Sequence, residues 1–137
     1  IVLLKPALEA KGLTVKIDLS SELTVFTDDI LLKTILRNLL SNAVKYSASD
    51  SQILVQAKKA VDTVIVTVQN IGKSIPEGLR TKLFKGSVIS ENGTLGEPGN
   101  GLGLSLTHEL VVRQNGKIWI DDSFNEGTRI AFSIPTV

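Results

Sequence analysis

Leu36-Arg37-Asn38-Leu39-Leu40-Ser41-Asn42-Ala43-Val44-Lys45-Tyr46 is the stretch on which the fold turns. Leu32, Ile35, Leu36, Leu39 and Ala43 recur at three- and four-residue intervals, which predicts a long helix with one broad apolar arc, running from the Asp28 and Asp29 pair to about Tyr46. The two aspartates suit its N-terminus, where a carboxylate accepts from free amides and meets the positive end of the dipole. Asn38, Asn42 and Lys45 stand at i, i+4 and i+7, so at about 100° per residue they fall in one narrow stripe beside the arc. Asn is a mediocre helix former, and an amide next to a buried face is costly unless something satisfies it. Two amide oxygens and an ammonium in line suit a metal-bound polyphosphate. Helix capping or solvation would also account for them, and the stripe alone leaves both readings open.

Working outward, Ile1 to Lys11 has helical spacing that Pro6 confines to a short helix with the proline near its first turn. After Gly12, the alternation of Leu13, Val15, Ile17 and Leu19 with polar residues predicts a half-buried strand, and a brief second strand is expected over Thr24 to Phe26. Ile53–Lys59 and Thr63–Gln69 read as an antiparallel hairpin with Val64, Val66 and Val68 on one face. Pro76 opens a short helix through Phe84. From Gly86 to Gly101 five glycines and one proline read as a mobile loop. Helical spacing resumes over Leu102–Gln114, Asn115 and Gly116 end it, and Lys117–Asp121 and Thr128–Ile134 supply two closing strands. The order predicts an α/β fold: a two-layer α/β sandwich with a mixed sheet of about five strands covered on one face by about three helices.

Composition removes several classes of function. The chain has 137 residues, 15 Lys and Arg against 14 Asp and Glu for a net charge of +1, and 4% aromatic residues. That is too little basic or stacking surface for nucleic acid. With no Cys and one His, disulfides and Cys/His zinc sites are excluded. No run of about 18 apolar residues argues for a membrane span, and the 42% hydrophobic content suffices for a core. The chain opens on Ile1 and contains no Met, so a single domain over 1–137, cut from a longer protein, is expected.

Two further constellations could carry chemistry. Val68-Gln69-Asn70-Ile71-Gly72-Lys73-Ser74-Ile75-Pro76 joins a strand end to a helix; it resembles both a ligand-reading strand end and an ordinary turn. Gly99-Asn100-Gly101-Leu102-Gly103-Leu104 closes the glycine-rich loop and enters a helix, so backbone amides and the dipole can cradle phosphate. It is neither a dinucleotide fingerprint, which would need glycine where Leu106 stands, nor a Walker loop, which needs Lys where Leu102 stands. His108 lacks a partnered nucleophile, because Ser105 has no flanking elbow glycines, and reads as a surface or packing residue.

In this order, NLLSNAVKYS, QNIGKSIPEGLRTKLF, GNGLGLSL and NEGTRIAFSIP resemble the boxes of the ATP-binding catalytic domain of sensor histidine kinases, within the fold shared with gyrase, Hsp90 chaperones and MutL repair proteins. The resemblance runs from about Leu3 to Pro135. It implies that Asn42 holds a magnesium ion bridging the ATP phosphates, with Asn38 one turn before it, and that Lys45 and Tyr46 contact phosphate and nucleoside. Asn70 matches an Asp that accepts from the adenine amino group, which an Asn carbonyl can also do. Gly72 would let the chain approach the base, and Ile75 belongs to the same nucleotide-binding box. Gly101, Leu102, Gly103 and Leu104 match the box closing the lid over the phosphates, and Gly127-Thr128 the last box near adenine.

Hydrolysing relatives carry Glu where Asn38 stands, and an amide cannot be a general base, which favours phosphoryl transfer to histidine over hydrolysis. The implied cofactors are ATP and Mg2+. The implied partners are the dimerisation and phosphoacceptor helical domain of the same protein and a response regulator receiver domain. The domain itself is expected in the cytoplasm, with membrane anchoring of the parent left open. Ser74 in place of glycine, Ser87 where an aromatic residue often follows Phe84, and a lid from Gly86 to Val112 without Lys or Arg depart from the pattern. They motivate a second reading, a degenerate nucleotide-binding or regulatory module; a third reading is a serine kinase of the anti-sigma type, which shares the fold but has a protein Ser as substrate.

Overall fold

The computed structural model describes residues 5–19, 29–74, 102–121 and 123–136. Its elements are helix α1 (Lys5–Lys11), strand β1 (Thr14–Leu19), helix α2 (Asp29–Tyr46), strands β2 (Gln52–Lys59) and β3 (Thr63–Ile71), helix α3 (Leu102–Arg113), and strands β4 (Ile118–Ile120) and β5 (Gly127–Pro135). The strand expected over Thr24–Phe26, the helix expected from Pro76 to Phe84 and the Gly86–Gly101 loop lie outside the described residues.

The strands form one mixed sheet in the order β1-β2-β3-β5-β4. β1 lies parallel to β2, a pairing that requires a crossover, and α2 supplies it. The remaining pairs are antiparallel, and β2 and β3 make the expected hairpin, closed by Ala60 N donating to Thr63 O at 2.8 Å. α2 packs across β3 and β5, and α3 packs against α2 and β5, which gives the expected α/β sandwich.

The core lies between these layers. Ile35, Leu39 and Ala43 on α2 meet Ile53 and Val55 of β2, Val68 of β3 and Ile130, Phe132 and Ile134 of β5, with Leu104, Leu110 and Val111 of α3 closing one side. Strand period 2 puts each of those sheet residues on the same face. On the opposite face the Arg129 guanidinium donates to Gln69 Oε1 at 2.6 and 2.9 Å and to Asp121 Oδ2 at 3.0 Å, with the Phe124 ring 4.7 Å away. Hydrogen bonds from Ser123 and then Arg129 hold the Asp121 carboxyl below its ordinary range.

Two expectations need correction. β1 is not half-buried along its length: Leu13 just before it is buried, but Ile17 and Leu19 are 55% and 58% exposed, because an edge strand loses the neighbour that would cover its far end. β3 extends to Ile71, so Asn70 lies within a strand and not in the turn that follows it. The ladder continues because Asn70 pairs with Ile53 on one side and Thr128 on the other.

Candidate functional site

The stripe on α2 is present as the spacing requires. Asn38, Asn42 and Lys45 are each half-buried beside the fully enclosed Ile35, Leu39 and Ala43, and the Tyr46 side chain is buried. The Lys45 ammonium stands 4.9 Å from the centre of the Tyr46 ring, close enough for attraction to its π face. Neither amide is lost in the core, and neither is fully in water.

The end of α2 is strapped to the segment after β3. Ala48 N donates to Ile71 O at 2.8 Å, Lys73 N to Tyr46 O at 3.0 Å, and Ser47 and Gly72 form an isolated antiparallel bridge. On its other side the segment is tied to the start of β5. Gly72 N donates to Glu126 O at 3.1 Å, Ser74 Oγ to Gly127 O at 3.0 Å, and Thr128 Oγ1 to Lys73 O at 3.3 Å. Residues 70–74 are therefore wedged between the last turn of α2 and the first residues of β5.

This wedge explains the two glycines at its contacts. Gly72 has φ +147°, where L side chains are rarely found, and a Cβ there would lie 2.6 Å from Ala48 N and closer still to Tyr46 O. A Cβ on Gly127 would run into Asn70 O and sit 2.9 Å from Gly72 N. Ser74, which departs from the pattern of the resemblance, uses its hydroxyl to hold Gly127, so here the side chain has a task glycine could not perform.

Asn70 is the most confined polar group of the wedge. It is 1% exposed, faces the helix side of the sheet opposite Thr128, itself 3% exposed, and its Nδ2 has no hydrogen-bond partner among the described residues. Buried amide nitrogens are nearly always paired, and leaving one unmade costs roughly 1–3 kcal/mol, so an accepting atom placed here would be well rewarded.

Of the other residues expected at the site, Leu102, Gly103 and Leu104 form the first turn of α3. The Leu104 side chain is 6% exposed within the core, so it contributes packing while the main chain is what the helix start offers. Gly101 and Ile75 lie outside the described residues. The structure thus brings Tyr46, Asn70, Gly72 and Thr128 together at one end of the sheet, with the Asn38–Asn42–Lys45 line leading away along α2.

Sequence reasoning missed Lys11. Its side chain is 4% exposed and its ammonium donates to Val44 O at 2.8 Å, Lys45 O at 3.0 Å and Ser47 O at 3.2 Å, the carbonyls that the end of α2 exposes. A Lys in the last turn of α1 reads naturally as a complement to its own helix dipole, and nothing in the sequence says that it serves a different helix. Asp50 N also donates to Lys11 O at 2.8 Å, so α1 is anchored to the turn after α2 through side chain and main chain alike.

Comparison with known proteins agrees with this fold. The chain is 31% identical over 129 residues to the adaptive-response sensory kinase SasA of Gloeothece citriformis (strain PCC 7424), a match covering 93% of this chain and 33% of that protein. It is 32% identical over 127 residues to SasA of Synechocystis sp. (strain ATCC 27184 / PCC 6803 / Kazusa), covering 91% and 33%. The chain therefore spans about a third of the length of the curated relatives it matches. Among solved structures, a nucleotide-free form of the catalytic domain of histidine kinase ThkA superposes with a TM-score of 0.84 at 27% identity, covering 98% of this chain and 88% of that one. Full-length ShkA in complex with AMPPNP superposes with a TM-score of 0.81 at 25% identity, covering 99% and 28%. The family model for histidine kinase-, DNA gyrase B- and HSP90-like ATPases matches residues 27–137, from just ahead of α2 through the last strand, and the chain belongs to that family.

Proposed function

We propose that this chain is the ATP-binding catalytic domain of a sensor histidine kinase, one domain over 1–137 that holds Mg-ATP between α2 and the start of α3 and gives its γ-phosphoryl group to a histidine on a helical dimerisation domain. The observation that carries the reading is the wedge: a buried Asn70 amide, its nitrogen without a partner among the described residues, beside Gly72 and Thr128 and strapped to the helix that bears Asn38, Asn42 and Lys45. ShkA, similar over nearly the whole of this chain, binds the ATP analogue AMPPNP.

The residues fit such a ligand. Asn70 and Thr128 would meet the base, and Gly72 and Ile75 would lie along it. Tyr46 would flank the nucleoside, and Lys45 would offer its charge to the phosphates. The main-chain amides from Gly101 through Leu102, Gly103 and Leu104 would receive phosphate oxygens at the helix start, where unsatisfied N–H groups and the dipole favour anions. Asn42, with Asn38 one turn earlier, offers a hard amide oxygen of the kind Mg2+ accepts. Magnesium, when bound, neutralises phosphate charge and so favours departure of ADP.

The reaction asks little covalent chemistry of this chain. The bond from the γ-phosphorus to the β-bridging oxygen breaks, a bond to an imidazole nitrogen forms, ADP leaves, and the imidazole proton passes to water. A neutral imidazole is nucleophilic without a base, whereas water is not, and Asn38 is an amide that cannot take a proton at neutral pH. Transfer is thereby favoured over hydrolysis. The phosphohistidine would then supply a response regulator receiver domain, with this domain on the cytoplasmic side.

The test combines the chain with a phosphoacceptor helical domain and γ-labelled ATP. Acid-labile, base-stable label on the acceptor histidine, lost with Asn42→Ala, is the expected result. Release of inorganic phosphate with no labelled acceptor would overturn it.

A further inference from the structure

Asn70 offers the ligand more than an acceptor. A carboxylate at this point can only accept, so it would take the 6-amino group of a purine and repel a 6-oxo group. A carboxamide carries both functions, and a half-turn about its last side-chain bond exchanges them without moving any other atom. The Watson–Crick edge of a 6-aminopurine presents a donor at the 6-position and an acceptor at N1, whereas a 6-oxopurine presents an acceptor there and a donor at N1. Reversing the base edge reverses the pattern, and reversing the amide restores the match.

The surroundings permit the half-turn. Among the described residues Nδ2 has no partner that would fix its direction, and the Thr128 hydroxyl across the ladder donates to Lys73 O at 3.3 Å, so its proton is not spent on Asn70. The close neighbours on the same sheet face, Ile53 and Val68, are apolar and favour neither orientation. Burial at 1% exposure keeps bulk water from substituting for either contact, so discrimination at this position is set by the side chain.

We infer that Asn70 makes the site accept 6-oxopurine nucleoside triphosphates alongside ATP. The inference rests on the nucleotide-site reading above and deepens it by naming the ligand class. Inosine triphosphate is the appropriate probe, because it changes the 6-position and N1 and adds nothing at the 2-position.

Calorimetry with magnesium on this chain would compare ATP, inosine triphosphate and purine riboside triphosphate, which has only hydrogen at the 6-position. ATP and inosine triphosphate should bind within about tenfold of each other, and both at least about threefold tighter than the unsubstituted purine, the effect of roughly one hydrogen bond. Asn70→Asp should leave ATP binding in place and weaken inosine triphosphate at least about fivefold, the low end of base discrimination by a paired side chain. A wild-type preference for ATP beyond about tenfold, or a folded Asp variant with the wild-type ratio, would overturn the inference while leaving ATP binding intact. If none of the three nucleotides bound, the nucleotide-site reading would fail and this inference with it. The wild-type comparison needs no substitution, so it decides the matter even if the variant does not fold.

Discussion

Gly72→Ala tests whether the strap between α2 and β3 is a tight fit. The new methyl group would lie 2.6 Å from Ala48 N and nearer to Tyr46 O, so reaching the 3.4 Å at which ordinary contact begins requires the two segments to part by at least 3.4 − 2.6 = 0.8 Å. That displacement stretches the 2.8 Å bond from Ala48 N to Ile71 O to about 3.6 Å, at which it is no longer a hydrogen bond. Lys73 N to Tyr46 O, at 3.0 Å, would be lost with it. Two such bonds are worth about 1–3 kcal/mol, and placing Ala at φ +147° adds about 1–3 kcal/mol. A loss of about 2–6 kcal/mol is expected, a large part of the 5–15 kcal/mol typical of a domain. Urea unfolding of wild type and variant measures it, and calorimetry with Mg-ATP on the folded fraction should show at least about tenfold weaker binding, because Asn70 shifts with its neighbour. A variant within about 1 kcal/mol of wild type, with unchanged affinity, would refute the argument.

Other perturbations separate the remaining parts. Lys11→Met strips three carbonyls at the end of α2 of their shared donor and should cost about 2–3 kcal/mol in urea unfolding, with Lys11→Arg recovering part of the loss. Asn42→Ala should abolish the gain in ATP affinity that magnesium confers in calorimetry while leaving the melting temperature within about 2 °C of wild type, since the residue is only half-buried. Asp121→Asn should destabilise by less than about 1 kcal/mol at neutral pH. Because the folded-state pKa of Asp121 is depressed, its contribution is present above the unfolded value of about 3.9 and fades as pH falls through and below it, so wild-type and variant unfolding curves should converge in strong acid.

What the sequence disclosed followed from how local each feature is. The line of Asn38, Asn42 and Lys45 belongs to one helix, whose geometry is set by its own periodicity, so spacing alone placed all three on one edge of the buried arc. The hairpin of β2 and β3 was equally legible, because three residues connect two alternating runs. Asn70 was harder. Asn beside Ile-Gly is turn chemistry, and only the pairing with Thr128, far along the chain, makes it a strand residue. Ile17 and Leu19 show the converse, since an alternating pattern says which face a side chain takes and not whether the sheet continues beyond it. Lys11 was illegible for the same reason: a long, charged side chain in the last turn of a short helix has an ordinary surface role, and its actual partners lie 33 to 36 positions away.

The Lys11 ammonium also bears on how α2 finishes. Helices commonly stop at a left-handed residue, usually glycine, which turns its own N–H back onto the last carbonyls. Ser47 has no positive φ, and no glycine stands there. Ser47 nevertheless turns back onto the last turn, its N–H donating to Val44 O at 3.4 Å and its hydroxyl to Ala43 O, and the Lys11 ammonium adds a distant donor to Val44 O, Lys45 O and Ser47 O. The arrangement adds to a stop made by a neighbouring residue a second one that exists only once α1 has docked. The final turn of this helix is therefore secured in part by a contact that no reading of α2 alone could supply.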